Sequence, residues 1–191
     1  GWLKSWLFQG AYCIAQQSGW SNEMWEAYNL AEPFFAGEPN IAPVPGNVGP
    51  NGGKWFIKTG ADWGGGFEFN SFPFVASPFN QRVAYAVVWV KPDQAYSELD
   101  GIQIWVAHDD GCKIYVGDSW AATRPGFSGG EAVSYDDSLT ALSLSAGWTR
   151  VIFKSNDMGG GWGFSMRFEK PDPNNIGGYI PIPMEYSVVP M

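Results

Sequence analysis

The sequence predicts an all-β protein, a two-sheet antiparallel β-sandwich of jelly-roll type with one short helix near the N-terminus. Three observations predict it. At least eight short segments carry apolar residues at period two, the spacing of half-buried strands. Turn residues separate them throughout, with 25 Gly and 14 Pro in 191 residues. No segment holds an amphipathic helical period over a long run. Strands of this length and spacing suit two packed sheets.

Taken in order, WLFQGAYCI (Trp6 to Ile14) reads as an apolar strand interrupted by Gly10. SNEMWEAYNLAEPFF is the helix: Ser21 or Asn22 caps it, acids occupy its first turn, and Pro33 stops it. Residues 37–54 form a loop rich in Pro and Gly, followed by the short strand KWFIKTG and a weakly pairing FEFNSFPF. RVAYAVVWV (Arg82 to Val90) is a strong strand that Pro92 ends. IQIWVAH and CKIYVGD alternate on either side of Asp109-Asp110-Gly111, so Ile102 to Gly117 reads as a hairpin. Its apolar set is Ile102, Ile104, Val106, Ile114 and Val116. Leu139 to Leu144 is a further strand, and Thr149 to Ser155 and Gly163 to Glu169 flank a glycine cluster at 158–161. Three prolines in the tail IPIPMEYSVVP suit an edge or covering strand.

Neither an internal repeat nor an internal boundary is visible, so residues 1–191 read as a single module. The chain opens GWLKSW, without Met or a signal peptide, which reads as a processed chain or a piece of a larger extracellular protein. A net charge of −8 without a basic cluster argues against nucleic acid and against an anionic membrane surface. No apolar run approaches the roughly 20 residues of a membrane span. Cys13 and Cys112 admit a disulfide in an oxidising compartment or a buried thiol; the apolar strand around Cys112 favours the thiol. Eleven tryptophans exceed what a core of this size needs, and some are expected to face solvent or ligand.

The segment IWVAHDDGCKIYVGD resembles the hairpin of the protective-antigen-like sugar-binding domain, with Asp109, Asp110 and Gly111 on its DDG core. In that pattern an Asp-Gly or Asn-Gly turn follows; here the order is Gly117-Asp118. LSLSAGWTRVIFKSNDMGGGWGFSMRF resembles the later strands of the same sandwich, and SWLFQGAY and EPNIAPVPGNVGPNGGKWFIK resemble related modules of bacterial polysaccharide-degrading and surface proteins. The resemblance implies a β-sandwich, carbohydrate as partner, an extracellular or cell-surface location, and calcium as the one cofactor to consider.

Asp109-Asp110-Gly111 has two readings. In one it is a three-residue turn, with Gly111 at positive φ. In the other, Asp109 and Asp110 supply part of the six to eight oxygens that calcium requires. A cis bond between them would aim both carboxylates at one point, as the calcium-binding relatives do. Asp118, Asn156 and Asp157 are further candidate ligands on loops.

Sugar faces stack on aromatic rings, and sugar hydroxyls bond to Asp, Asn and Arg. Trp120 with Arg124, Trp63 among glycines, and Trp162 in GGGWGF are therefore the candidate ligand-binding residues, with Asn156 and Asp157. Packing against the sandwich is the competing role of each ring. Trp89, Trp105 and Trp148 belong to strand patterns and to the core.

Enzyme signatures fail. GFSGG (Gly126 to Gly130) spells a nucleophile elbow, but the one histidine, His108, precedes Ser128 and no helix follows. One His and two distant Cys cannot fill a zinc site of usual spacing. The expected function is thus non-catalytic carbohydrate binding at end loops, by aromatic stacking and hydrogen bonds, with calcium as a candidate bridge. The alternative is a structural or protein-interaction module packed on neighbouring domains or subunits. A polysaccharide hydrolase or lyase ranks third.

Overall fold

The fold is seen in a computed structural model that describes residues 2–13, 18–62, 66–73, 82–118, 120–126, 137–140 and 142–191. Its elements are β1 (Ser5–Cys13), α1 (Asn22–Ala31), β2 (Phe56–Thr59), β3 (Phe67–Glu68), β4 (Arg82–Pro92), β5 (Gln103–Asp109), β6 (Cys112–Val116), β7 (Trp120–Arg124), β8 (Asp137–Leu139), β9 (Thr149–Asp157), β10 (Gly163–Pro171), β11 (Tyr179–Pro181) and β12 (Met184–Ser187). One antiparallel sheet runs β2-β1-β4-β9-β6-β7, with β12 also on β4; the other runs β11-β10-β5-β8, with β3 also on β10. The two-sheet sandwich, with one α-helix among the described residues, is the expected fold class.

The sheets face each other across one apolar layer. Alternate residues of β4 (Ala84, Ala86, Val88, Val90) meet Ile104, Val106, Phe164 and Met166 from the opposite sheet. Phe153 and Phe164 stack across it with ring centres 4.0 Å apart. The near-continuous apolar run of β4 has a reason, because its other face is buried too. Val83, Tyr85, Val87 and Trp89 form a second cluster with Leu7, Tyr12, Tyr115 and Ile152, and the segment after α1 covers it through Phe34, Phe35 and Ile41. Among these apolar groups Glu38 accepts hydrogen bonds from the Tyr85 hydroxyl at 2.6 Å and the Tyr115 hydroxyl at 2.7 Å. Lys154 Nζ lies 3.2 Å from the same carboxylate. Burial pushes both phenols above their ordinary range.

Gly10 does not end its strand. A Cβ there would sit 2.9 Å from Ala84 Cβ, so glycine lets β1 approach β4 at the register shift between Gln9 and Tyr12. The helix begins where expected, with the Met24 amide donating to Ser21 Oγ at 3.3 Å, and it ends before Pro33. Two boundaries differ. The strand expected at Leu139 to Leu144 is β8, which ends at Leu139, while Leu144 bridges singly to Tyr96. The strand of Arg82 continues through Pro92, because β12 pairs with its last residues. Cys112 is buried in β6, and the Cys13 side chain lies outside the described residues. No helix among the described residues is long and apolar enough to cross a membrane.

The largest departure concerns Ile102 to Gly117. All five apolar residues are buried as expected. Yet β5 and β6 are not a hairpin: β5 pairs with β10 and β8, whereas β6 pairs with β9 and β7. Period-two alternation reports which face of a strand is buried and is silent about its partner. Asp109-Asp110-Gly111 therefore crosses from one sheet to the other.

Candidate functional site

That crossing is held by backbone and side-chain bonds. The Asp110 amide donates to the Asn156 carbonyl at 3.0 Å, and the Asn156 amide donates to the Gly111 carbonyl at 2.9 Å. The Met158 amide donates to Asp110 Oδ2, and His108 Nδ1 lies 2.6 Å from the Asp110 carbonyl oxygen. Asp109 pairs through the backbone with Gly163 on β10. The corner thus joins β5, β6, β9 and β10. The Asp109-Asp110 peptide bond is cis.

Gly111 does not take a positive φ, contrary to the turn reading. Its requirement is steric. A Cβ there would lie 2.3 Å from Glu26 Oε1 and 3.1 Å from Leu30 Cδ1, both on α1. The helix packs directly on the corner, and Glu26 also accepts from the Gly126 amide at 2.8 Å. Glu26, Trp25, Asn29 and Leu30 form the buried face of α1.

The corner concentrates acid. Burial pushes the Asp110 carboxyl up; the Met158 amide and Asp109 act against this, while the charges of Asp157 and Glu26 add to it. Asp109 is nearly buried and its side chain is a hydrogen-bond partner of Asp110. Among the described residues, no group of three or more His, Cys, Asp or Glu side chains is placed to hold a metal ion. The corner offers two adjacent carboxylates, and calcium there would draw its remaining oxygens from backbone, water or ligand. That donor chemistry suits a hard cation.

The structure separates the expected site residues. Asp157 is fully buried and paired with Arg82, whose Nε lies 2.8 Å from its Oδ2; its Oδ1 accepts from the Gly159 amide at 2.8 Å. The Arg82 guanidinium stacks 4.5 Å from the Trp162 ring centre. Trp162, expected as an accessible ring, is buried: its Nε1 donates to Ser155 Oγ at 2.9 Å and its ring lies 4.9 Å from Phe69. Glycine neighbours here accompany close packing rather than exposure. Asn156 is fully buried, and its Oδ1 accepts from Asn29 Nδ2 at 2.7 Å. Among the described residues, Asn156 Nδ2 and Asn29 Oδ1 find no hydrogen-bond partner.

Trp120 is half-buried against the main core and pairs with Val116, at the end of β6 away from the corner. Four residue steps of strand put it roughly 13 Å away. Asp118 lies past that same far end and pairs with Arg150 at 2.6 Å. Neither reaches the aspartates. Arg124 does share the corner's end, because it pairs with Cys112. Trp63 lies outside the described residues. The residues that sequence reading missed are Glu26 and Asn29. Their signal was present, as polar residues aligned with Trp25 and Leu30 on one helical face.

No family model matches the chain, and no curated protein matches it. Two solved structures are similar to it. The PA14 sugar-binding domain from an RTX adhesin is 19% identical over 95% of this chain and 96% of that chain, with a TM-score of 0.36. The PA14 domain of the antifreeze protein MpAFP is 16% identical over 54% of this chain, with a TM-score of 0.33. This chain covers 51% of that one, about half its length.

Proposed function

We propose that the protein is a non-catalytic carbohydrate-binding module whose site is the Asp109-Asp110 corner. One observation carries this reading: two adjacent acid side chains meet at a crossing between sheets where neighbouring charge adds to theirs. Asp157 next to them is paired with Arg82; Asp110 has no such cation among the described residues and is pushed up by burial, with the charges of Asp157 and Glu26 adding to it. A cation relieves such a site, and a sugar's vicinal hydroxyls complete the coordination of a calcium ion held by two carboxylates. Arg124, at the same end, donates to sugar oxygens. The resemblance at Asp109-Asp110-Gly111 points the same way, as does the place such modules take in extracellular and cell-surface proteins of bacteria. Trp120 is too far to stack on a sugar held at the corner, so the stacking role assigned to it is withdrawn from this site.

The test is a glycan array read with and without a calcium chelator, on the wild type and on Asp110→Asn. Binding that requires calcium and Asp110 supports the reading; binding by neither protein removes it.

A second reading has its own observation. Leu99 and Ile176 stand fully in solvent at the opposite pole, where Gly101 meets Pro171. Exposed aliphatic groups suit contact with another protein or domain. Sedimentation of the chain alone and with its sequence neighbours distinguishes the two.

A further inference from the structure

The buried face of α1 reaches three segments of the corner at once. Glu26, Asn29 and Leu30 stand at i, i+3 and i+4, so they share one side of the helix. Glu26 Oε1 and Leu30 Cδ1 occupy the space that a side chain on Gly111 would need. Glu26 Oε1 also accepts from the Gly126 amide at 2.8 Å, two residues beyond Arg124. Asn29 Nδ2 donates to Asn156 Oδ1 at 2.7 Å. The Asn156 backbone in turn holds the crossing, accepting from the Asp110 amide at 3.0 Å and donating to the Gly111 carbonyl at 2.9 Å. Asp110 Oδ2 accepts from the Met158 amide, two residues further on. The amide and the carboxylate of Asp110 are thus both anchored on residues 156–158, and the side-chain anchor of that stretch on α1 is Asn29. One turn of α1 ties the starts and ends of β6, β7 and β9 together around Asp110.

Stability alone does not favour these residues. Asn is a weak helix former, yet Asn29 lies fully buried inside α1. Its pair with Asn156 leaves Asn29 Oδ1 and Asn156 Nδ2 without hydrogen-bond partners among the described residues. Replacing such a pair by apolar groups of the same shape is nearly neutral or stabilising. Glu26 is a carboxylate only 8% exposed, placed beside an acidic corner. Covering the sheet requires neither residue, because Trp25 and Leu30 supply the apolar face of the helix. Local rules are broken in this way where a site must be held in place.

We propose that α1 is the clamp of the binding corner, with Asn29 and Glu26 as its positioning residues. Asn29 fixes Asn156, and through it the two bonds that Asp110 makes to residues 156–158. Glu26 packs on Gly111 and fixes the segment that follows Arg124. The inference rests on the corner reading of Asp109 and Asp110, and neither positioning residue touches the ion or the sugar. Carboxylates held in place before the ion arrives lose little freedom when it binds.

The experiment measures the calcium affinity of the folded chain by isothermal titration and the hydrogen exchange of the Asp110 amide by NMR. The variants are Asn29→Ala, Glu26→Ala, Glu26→Gln and Val88→Ala. Asn29→Ala and Glu26→Ala are each expected to weaken calcium about tenfold, as loss of a group that orients a metal ligand does. Both should speed exchange at Asp110 while the amides of β4 keep their rates. Glu26→Gln keeps an acceptor for the Gly126 amide and the shape against Gly111, so its affinity should stay near that of the wild type. Val88→Ala opens a cavity between the sheets, away from the corner, and should lower stability without changing affinity. If Val88→Ala loses as much affinity as Asn29→Ala, α1 acts through stability alone and the clamp is overturned. If Glu26→Gln falls as far as Glu26→Ala, Glu26 acts by its charge and its positioning role is overturned. The Glu26 variants decide the matter if Asn29→Ala does not fold. Equal calcium binding by the wild type, Asn29→Ala and Glu26→Ala overturns the inference and leaves the corner reading standing. A wild type that binds no calcium overturns both.

Discussion

Two buried acid clusters lie under α1 and the segment that follows it, and they are finished differently. Lys154 and Asn156 are two residues apart on β9, on its outer face. Around Lys154, the Glu38 carboxylate accepts from two tyrosine hydroxyls, from Lys154 and from the Phe34 amide at 3.2 Å. Its lone pairs are used and its charge is answered. Around Asn156, the Asn29 and Asn156 side chains each leave an atom unbonded among the described residues, and burial pushes the neighbouring Asp110 toward its neutral form. A buried polar network that is complete pins a fold, whereas one left incomplete gains by receiving a partner. The difference separates a structural charge from a candidate binding one, and it can be broken experimentally at several points.

The largest effect is expected from Lys154→Met. It leaves Glu38 buried without its cation, and breaking a buried pair costs about 3–5 kcal/mol. Chemical denaturation measures this, and calcium-dependent binding by the folded fraction should be unchanged. A neutral outcome would mean that the Glu38 network is not the staple it looks to be.

Next is calcium at the corner. At a concentration about 100 times its Kd the ion is expected to stabilise the wild type by about 2.7 kcal/mol. For a chain of this size that is a Tm rise of roughly 5–10 °C. Asp110→Asn should show none of it. Equal melting curves for the wild type with and without calcium would leave the corner without a metal role.

Gly111→Ala should cost about 1–3 kcal/mol through overpacking, because its methyl meets Glu26 and Leu30. Glu26→Ala in the same chain should recover part of that loss. If the double variant is no better than Gly111→Ala, the contact between helix and corner is not what requires glycine.

A pH dependence tests the same buried pair from another side. Burial holds the Lys154 ammonium down to about 8, against the opposing pull of Glu38, from an ordinary 10.5. Between these values the unfolded chain binds the extra proton. The cost of keeping the buried Lys154 amine charged is therefore borne in full below about pH 8 and relieved as pH rises toward 10.5. The stability difference between wild type and Lys154→Met should widen across that window. A difference flat with pH would mean that Lys154 titrates as if exposed.

The sequence by itself determined the fold class, the helix with its cap at Ser21 or Asn22, and which faces of most strands are buried. Those features rest on local rules, namely the period of two, the capping oxygen and proline stops, which act over a few residues. Even the positions of Ile104, Val106 and Ile114 in the core were legible in alternation alone. The tertiary structure decided the rest. Alternation cannot report which strand lies beside which, so the apparent hairpin at Asp109-Asp110-Gly111 became a crossing between sheets. It cannot report what a helix packs on, so the need for Gly111 came from Glu26, 85 residues earlier in the chain. It put Trp162 among glycines without showing that Arg82 and Phe69 enclose it. Trp120 and Asp110 are ten residues apart in sequence and lie beside opposite ends of β6. A site is a convergence in space of groups from separate elements, and only long-range packing supplies that convergence.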